Sequence, residues 1–442
     1  MQFSKHLRSV EKSQTLLLNE QSRTLEKGGK KIYKFGFGQS PFLPPQAVID
    51  ALKANAHRKE YSPVQGILEL REAVAEFYRK TDGIDAKAEN ILIAPGSKIL
   101  IYAVLAAFTH ADLLVCAPAW VSYVPQARLL GHGVITIPTT FEERWRLTPQ
   151  ALAKALESRA DKTIPSVLIL NYPGNPDGLG YREEELAALA DIARQYGTLV
   201  ISDEIYGQLH HAGQHVSLAK YYPEGTVITS GLSKWCGAGG WRLGTAVIPE
   251  ALGQEFKDTL LGIASETYSC AALPVQLAAC EAFRYTKETQ EYVAQQRRVL
   301  AALGEECAAR LQKSNIQVHK PEGGFYLFLD FSPVTEVLAG FGLNTSQAVC
   351  ESLLAETGVA LLPGTAFGMQ PEQLSARLAY VDFDGVAVLE AAYKSKAAEA
   401  LPDGFLSGTC AHPLEGINAL CDWVARKESL APSPEHFAAA VG

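Results

Sequence analysis

Short apolar, β-branched runs recur along the chain with helix-patterned stretches between them. The clearest are Ile91–Ala94, Leu113–Cys116, Val134–Ile137, Val167–Leu170, Leu199–Ser202, Thr226–Ser230 and Thr245–Ile248. Each is apolar at nearly every position rather than at alternate ones, which is the pattern of a strand buried on both faces. Ser97–Phe108 reads as a helix, and Glu183–Tyr196 as another with one charged and one apolar face. The alternation predicts an α/β fold, with these seven strands in a mostly parallel sheet flanked by helices on both sides.

After Pro249 the texture changes. Gln276–Ala309, rich in Ala, Gln and Glu, predicts one long helix. Gly323–Asp330, Gly358–Leu362 and Arg377–Val381 predict short strands interleaved with helices. Together they predict a second, smaller α+β domain, which the stretch before Pro44-Pro45 joins. The expected division is a large domain over 46–300 and a small one made of 1–45 and 301–442. The tail from Leu401 to Gly442 carries Leu420, Trp423 and Val424, and reads as a packed helix rather than a disordered end.

Composition narrows the function classes. A chain of 442 residues has room for more than one domain and a large core. Its net charge of −8 disfavours non-specific binding to nucleic acid or to an anionic membrane, but leaves room for a local basic pocket. The eight cysteines form no CxxC pair and have no histidine cluster beside them. Neither a disulfide framework nor a zinc site is expected, and no metal at all; unpaired thiols in a reducing compartment are. The stretch Met1–Ser22 mixes charges with a single Leu16-Leu17-Leu18 triplet, and no segment reaches transmembrane length. A cytoplasmic protein is the expectation.

The residues with chemistry to offer fall just after the predicted strands, where open α/β sheets place their ligands. Ser233 and Lys234 lie in a glycine-rich loop, and Arg242 follows the lysine by eight residues. A lysine amine can form a Schiff base with an aldehyde, and a guanidinium can clamp a phosphate, so this spacing suits an aldehyde cofactor that carries a phosphate. Gly96-Ser97-Lys98 opens a helix, and its backbone N–H groups suit the same phosphate. Asn175 is held in a turn by Pro173, Gly174 and Pro176. Asp203, at the end of an apolar run, is a carboxylate at the edge of the core that needs a cation or several donors; Tyr206 follows it. Trp120 could stack on a ring, and Arg377 on a late strand could fork onto a carboxylate. Tyr61 precedes a helical run. Taken singly, each also fits a plainer role: an N-cap, a turn former, a capping aspartate, a surface lysine, a core tryptophan or a surface ion pair.

Taken together and in order, these motifs resemble the class I/II aminotransferases, pyridoxal-phosphate enzymes of fold type I. The resemblance runs from about Phe35 to Tyr380 and rests most heavily on Gly231-Leu232-Ser233-Lys234-Trp235-Cys236-Gly237-Ala238-Gly239-Gly240-Trp241-Arg242-Leu243-Gly244. It implies pyridoxal 5'-phosphate as cofactor and a ping-pong exchange of an amino group between an L-amino acid and a 2-oxo acid, 2-oxoglutarate or pyruvate being the expected acceptors. By resemblance, Lys234 is the Schiff-base lysine that shuttles the proton, Asp203 pairs with the pyridine nitrogen, and Tyr206 and Asn175 bind the ring's 3'-oxygen. Arg242, Ser233 and the backbone of Gly96, Ser97 and Lys98 form the phosphate cup, and Trp120 stacks on the ring. Arg377 holds the substrate α-carboxylate, with Gly38 and Asn175 near it. Tyr61 reaches the phosphate of a neighbouring subunit, which implies a homodimer with shared sites. The chain departs from the family's pattern at Gly38-Gln39-Ser40-Pro41, where Gly-Glu-Pro is frequent, and at Asp177, where Thr is common but does not act as a ligand. If Tyr268-Ser269 matches the Tyr-Ser pair of the acidic-substrate branch, Ser265 stands near where that branch has an arginine for the distal carboxylate. The cofactor residues are shared with fold-type I lyases and synthases, such as cysteine-S-conjugate β-lyases and aminocyclopropane-carboxylate synthases. A ligand-sensing regulator built on this domain would carry a DNA-binding segment ahead of it, and the roughly 35 residues before Gly36 are too few for a winged helix.

Overall fold

The computed structural model describes residues 14–395 and 400–431. The charged stretch ahead of Gln14 and the part of the tail after residue 431 lie outside the described residues. The seven apolar runs are strands within a residue or two of their expected bounds: β1 (Ile91–Ala94), β2 (Asp112–Ala117), β3 (Gly133–Pro138), β4 (Ser166–Asn171), β5 (Leu199–Asp203), β6 (Thr226–Gly231) and β7 (Gly244–Val247). They form one sheet in the order β1-β7-β6-β5-β4-β2-β3. Neighbours pair parallel except at β7, which runs antiparallel to both β1 and β6. The central strand β5 and the edge strand β1 are buried at every position, so their hydrophobicity does not alternate, whereas β3 at the opposite edge is half-exposed.

This topology decides where the chemistry collects. The parallel strands deliver their C-terminal ends to one edge of the sheet. Because β7 is reversed, the residues just before it reach that same edge, and Arg242 is among them. The helices Ser97–Ala106 and Glu183–Gln195 follow the strands as expected.

The long helix expected over Gln276–Ala309 is two helices, Leu273–Phe283 and Lys287–Gln312. The chain breaks at Tyr285, whose φ is 50°, and the Thr286 hydroxyl caps the second helix by accepting the Thr289 N–H. The Tyr285 ring meets Phe77 edge-on at 5.1 Å. Helical periodicity cannot anticipate a tertiary contact of this kind.

The smaller part of the molecule holds a three-stranded antiparallel sheet of β8 (Tyr326–Asp330), β9 (Leu362–Pro363) and β10 (Ser375–Ala379), in the order β8-β10-β9. The strand expected over Gly358–Leu362 is displaced: regular pairing begins only at Leu362, while Val359 bridges to Tyr33 of the N-terminal segment. The tail folds into the helices Phe405–Thr409 and Ala411–Leu430, and Leu420, Trp423 and Val424 are buried. One apolar cluster joins the two parts, from Leu70 and Val74 through Trp235 to Leu327, Leu378 and Trp423. Among the described residues no helix is long and apolar enough to cross a membrane, and no group of three or more metal-ligating side chains gathers.

Candidate active site

Gly96 follows β1 with a φ of 94° and precedes the helix Ser97–Ala106. A Cβ at this position would lie 2.2 Å from Arg242 Nη2, so glycine is what lets the guanidinium reach the helix N-terminus. Lys98 stands alongside, its Nζ 5.0 Å from the centre of the Trp120 ring. Burial of the Lys98 amine and the nearby Arg242 charge both hold its pKa below the usual lysine range. Two cations thus converge on N–H groups at a helix start, an arrangement that attracts a phosphate. Ser97 and Ser233 are half-buried.

At the end of β5 the Asp203 carboxylate is 3% exposed. Its Oδ2 accepts a hydrogen bond from the Tyr123 hydroxyl at 2.6 Å, and its Oδ1 one from Thr229 Oγ1 at 3.4 Å. Burial pushes Asp203 up to about 6, although the donors from Tyr123 and the Ile205 N–H pull the other way. A buried carboxylate shifted in this direction is short of positive charge. Tyr123 also meets Trp120 edge-on at 5.2 Å, which ties the aromatic wall to the acid.

Lys234, in the loop after β6, donates from Nζ to the Gly38 carbonyl at 2.8 Å. The amine lies 5.4 Å from the centre of the Tyr206 ring and 5.6 Å from that of Phe325. The Tyr206 hydroxyl shares a 2.8 Å hydrogen bond with that of Tyr326. Burial and Tyr326 together raise the Tyr206 pKa well above the usual tyrosine range. Gly38 packs so close that a Cβ would fall 1.9 Å from the Tyr326 hydroxyl.

Arg377 on β10 is 3% exposed. Nη1 donates to Asn175 Oδ1 at 3.0 Å, Nη2 donates to the Gly36 carbonyl at 2.7 Å, and the guanidinium lies over the Tyr326 ring at 4.7 Å. Its buried Nε has no partner among the described residues, and burial lowers its pKa. Its hydrogen-bond partners are neutral oxygens, so this buried cation is left wanting an anion. The Asn175 turn is tied to the acid of the site: the Asn175 N–H donates to Asn171 Oδ1 at 2.8 Å, and Asn171 Nδ2 donates to the Asp203 carbonyl at 2.8 Å.

The structure therefore gathers Gly38, Gly96, Ser97, Lys98, Trp120, Asn175, Asp203, Tyr206, Ser233, Lys234, Arg242 and Arg377 at one edge of the sheet. Tyr61 is not part of this gathering; it is 91% exposed. Tyr123, Tyr326, Thr229 and Asn171 complete the site without a motif to announce them. Ser265, the position near which the acidic-substrate branch keeps an arginine, is exposed on the helix Gly253–Thr267 and donates to Glu266. The fit to pyridoxal 5'-phosphate is chemical: two cations at a helix start for the phosphate, a primary amine for the aldehyde, an indole for the ring, and a buried carboxylate in want of a cation for the ring nitrogen.

Asp177, at the departure from the usual Thr, has a structural part to play. It is buried against Arg146, whose guanidinium it accepts, and its Oδ1 also accepts the Leu179 N–H at 2.8 Å. The pair stands two residues beyond Asn175 and pins the turn that carries it. Breaking a buried pair from one side leaves an uncompensated charge, so Asp177→Asn and Arg146→Met are each expected to cost ~3–5 kcal/mol of stability. The double variant Arg146→Met with Asp177→Asn is expected to recover most of that loss. A double-mutant cycle on denaturant midpoints measures it.

Comparison with known proteins agrees with the geometry. The family described as aminotransferase class I and II matches residues 30–388. The chain is 31% identical over 377 residues to the aspartate aminotransferase of Geobacillus stearothermophilus, covering 83% of this chain and 92% of that protein. It is 33% identical over 382 residues to the bifunctional aspartate aminotransferase and glutamate/aspartate-prephenate aminotransferase of Petunia hybrida, covering 83% of this chain and 77% of that one. The solved structure of the Thermus thermophilus aspartate aminotransferase with maleate superimposes with a TM-score of 0.80 at 25% identity, over 96% of this chain and 99% of that chain. With a family match over most of its length and a site whose charges fit that cofactor, the chain belongs to the class I and II aminotransferases and is a fold-type I, pyridoxal-phosphate-dependent transaminase.

Proposed function

We propose that the residues at the sheet edge divide the work of amino-group transfer as their positions suggest, and that the donor and acceptor are dicarboxylic. The observation that carries the assignment is the complementary want of charge at the two buried groups, Asp203 lacking a cation and Arg377 lacking an anion. Bound pyridoxal 5'-phosphate supplies an aldehyde to take up the amino group and a ring to accept electrons from the substrate α-carbon. Lys234 holds the cofactor and moves the proton at the α-carbon. The Asp203 carboxylate keeps the ring nitrogen protonated, with Tyr123 orienting it. Tyr206 and Asn175 donate to the ring's 3'-oxygen. Arg242, Ser233 and the N–H groups from Gly96 to Lys98 bind the phosphate, and Trp120 packs on the ring. Arg377 orients the α-carboxylate, and Gly38 lies near it.

Two supports favour an anionic side chain on the substrate. Arg128 lines the open cleft beside Trp120 in addition to the phosphate-facing Lys98 and Arg242, and no carboxylate lines it. The relatives are named for aspartate, glutamate and prephenate. Aspartate or glutamate as donor and 2-oxoglutarate as acceptor follow. The test is to add single amino acids to the loaded enzyme with no acceptor present. A transaminase releases one equivalent of 2-oxo acid per site and then stops until an acceptor is added; continuous turnover by the donor alone would mark a lyase instead.

The bridge from Tyr33 to Val359 and the hydrogen bond from the Ala379 N–H to the Phe35 carbonyl support assigning 1–45 with 301–442 to the small domain and 46–300 to the large one. The eight unpaired cysteines support a cytoplasmic setting. Tyr61 supports a homodimer with shared sites, since a tyrosine this exposed is placed to meet a second copy rather than its own chain. Tyr61→Phe removes a hydrogen bond to a charged phosphate, so it is expected to raise the cofactor Kd about 10-fold or more with little change in melting temperature. Fluorescence titration measures the affinity, and sedimentation checks the dimer.

A further inference from the structure

The match to the family ends at residue 388, and the helix Ala411–Leu430 lies beyond it. One face of this helix is buried through Ile417, Leu420, Trp423 and Val424. The turn around Gly416 does something different: it packs on the N-terminal segment. A Cβ on Gly416 would lie 2.5 Å from Phe35 Cζ and 2.7 Å from Tyr33 Cγ, rigid ring atoms that cannot swing aside. The His412 ring lies 5.0 Å from that of Tyr33. His412 Nε2 is 3.1 Å from Asp382 Oδ2, and the same oxygen accepts the Lys34 N–H at 2.8 Å. Glu415 accepts Lys31 Nζ at 2.5 Å. The segment from Lys31 to Phe35 is thus held, directly or through Asp382, by one turn of this helix.

The residues that follow without interruption are those that touch the site. The Gly36 carbonyl accepts Arg377 Nη2 at 2.7 Å, and the Gly38 carbonyl accepts Lys234 Nζ at 2.8 Å. We infer that the C-terminal helix sets the position of these two carbonyls, with Gly416 as a positioning residue whose missing side chain fixes how closely the segment approaches. The inference rests on the roles proposed for Arg377 and Lys234. Through the Gly36 carbonyl the helix aims the guanidinium at the incoming α-carboxylate, which belongs to substrate binding. Through the Gly38 carbonyl it restrains the lysine amine.

Gly416→Ala tests this. It displaces Phe35 and Tyr33 and with them the segment. Trp423→Leu on the same helix is the comparator: it empties part of the core about 10 Å further along the helix axis. Both variants are expected to lower the melting temperature. Gly416→Ala alone is expected to raise KM for the amino acid and for the 2-oxo acid, by about fivefold or more, with a smaller change in kcat. It is also expected to speed acylation of Lys234 by an amine-directed reagent in the cofactor-free protein, read by peptide mass. Should Gly416→Ala fail to fold, Asp382→Ala, which releases both Lys34 and His412, carries the same two readouts. A folded Gly416→Ala or Asp382→Ala with unchanged KM and unchanged Lys234 labelling overturns the inference. Arg377→Lys is measured alongside: if it too leaves KM unchanged, the role given to Arg377 is what has failed. If Arg377→Lys raises KM and Gly416→Ala does not, the role of the helix alone has failed.

Discussion

Lys234→Ala is expected to abolish turnover while leaving the fold intact. The side chain is half-buried, and the one hydrogen bond it makes among the described residues is to the Gly38 carbonyl. Losing that bond costs about 1 kcal/mol, a small fraction of the stability of a chain this size. The chemical loss is far larger. Removing a positioned proton carrier alone slows a reaction by roughly 10²–10⁴-fold, and here the same amine also anchors the cofactor covalently. A fall in kcat of about 10⁴-fold or more is the expectation. Reduction of the loaded wild type with borohydride fixes the cofactor to one peptide, and that peptide should contain Lys234. The variant should retain no covalently fixed cofactor. Recovery of the label on Lys98, the other amine lining this edge, would reassign the anchor and with it the geometry of the site.

Much of this was legible in the sequence, for an identifiable reason. Strands buried on both faces leave unbroken apolar runs, and a parallel sheet brings the residues after those runs to one edge. Gly96, Asn175, Asp203 and Lys234 could therefore be placed together from their positions along the chain. Arg242 arrives from the opposite direction, through the reversed β7, and its spacing from the lysine marked it. What escaped were groups that act through tertiary contact. Tyr123 is 80 residues from Asp203, and Tyr326 is 120 from Tyr206. In sequence both look like ordinary core tyrosines. Asp177 looked like a harmless turn substitution because its partner, Arg146, lies on a different loop. The helix break at Tyr285 is set by packing against Phe77, which overrides an otherwise continuous helical pattern. A residue two before Asp177 could have hinted at the pair: a turn that must present Asn175 to a buried arginine needs an anchor of its own.

Asp203→Asn separates what the fold wants from what the chemistry wants. The Asp203 carboxyl titrates ordinarily at 3.8 and is pushed up to about 6 in the folded chain, chiefly by burial. A folded pKa above the unfolded one means the native state binds this proton more tightly. The resulting stabilisation is full below 3.8 and is lost as pH rises through about 6, so at neutral pH the cofactor-free protein carries a buried charge costing roughly 3 kcal/mol. Asparagine carries no charge, yet its oxygen can still accept the Tyr123 hydroxyl. Cofactor-free Asp203→Asn is therefore expected to be more stable than the wild type at pH 7 to 8, by about 1–2 kcal/mol once imperfect hydrogen bonding is allowed for, with the difference shrinking as pH falls through about 6 and reversing in sign towards pH 4. Asp82, also pushed up to about 6 by burial, titrates in the same window in both proteins, so the difference between them isolates Asp203. Activity should move the other way. Without the carboxylate nothing holds the ring nitrogen protonated, and losing one preorganised charge of this kind costs about 10²–10³-fold in kcat. Denaturant midpoints across pH and steady-state kinetics on the loaded enzyme read the two effects separately. A variant less stable than the wild type at neutral pH, or one that keeps its turnover, would show that Asp203 is a structural carboxylate and that the ring nitrogen finds its counter-charge elsewhere.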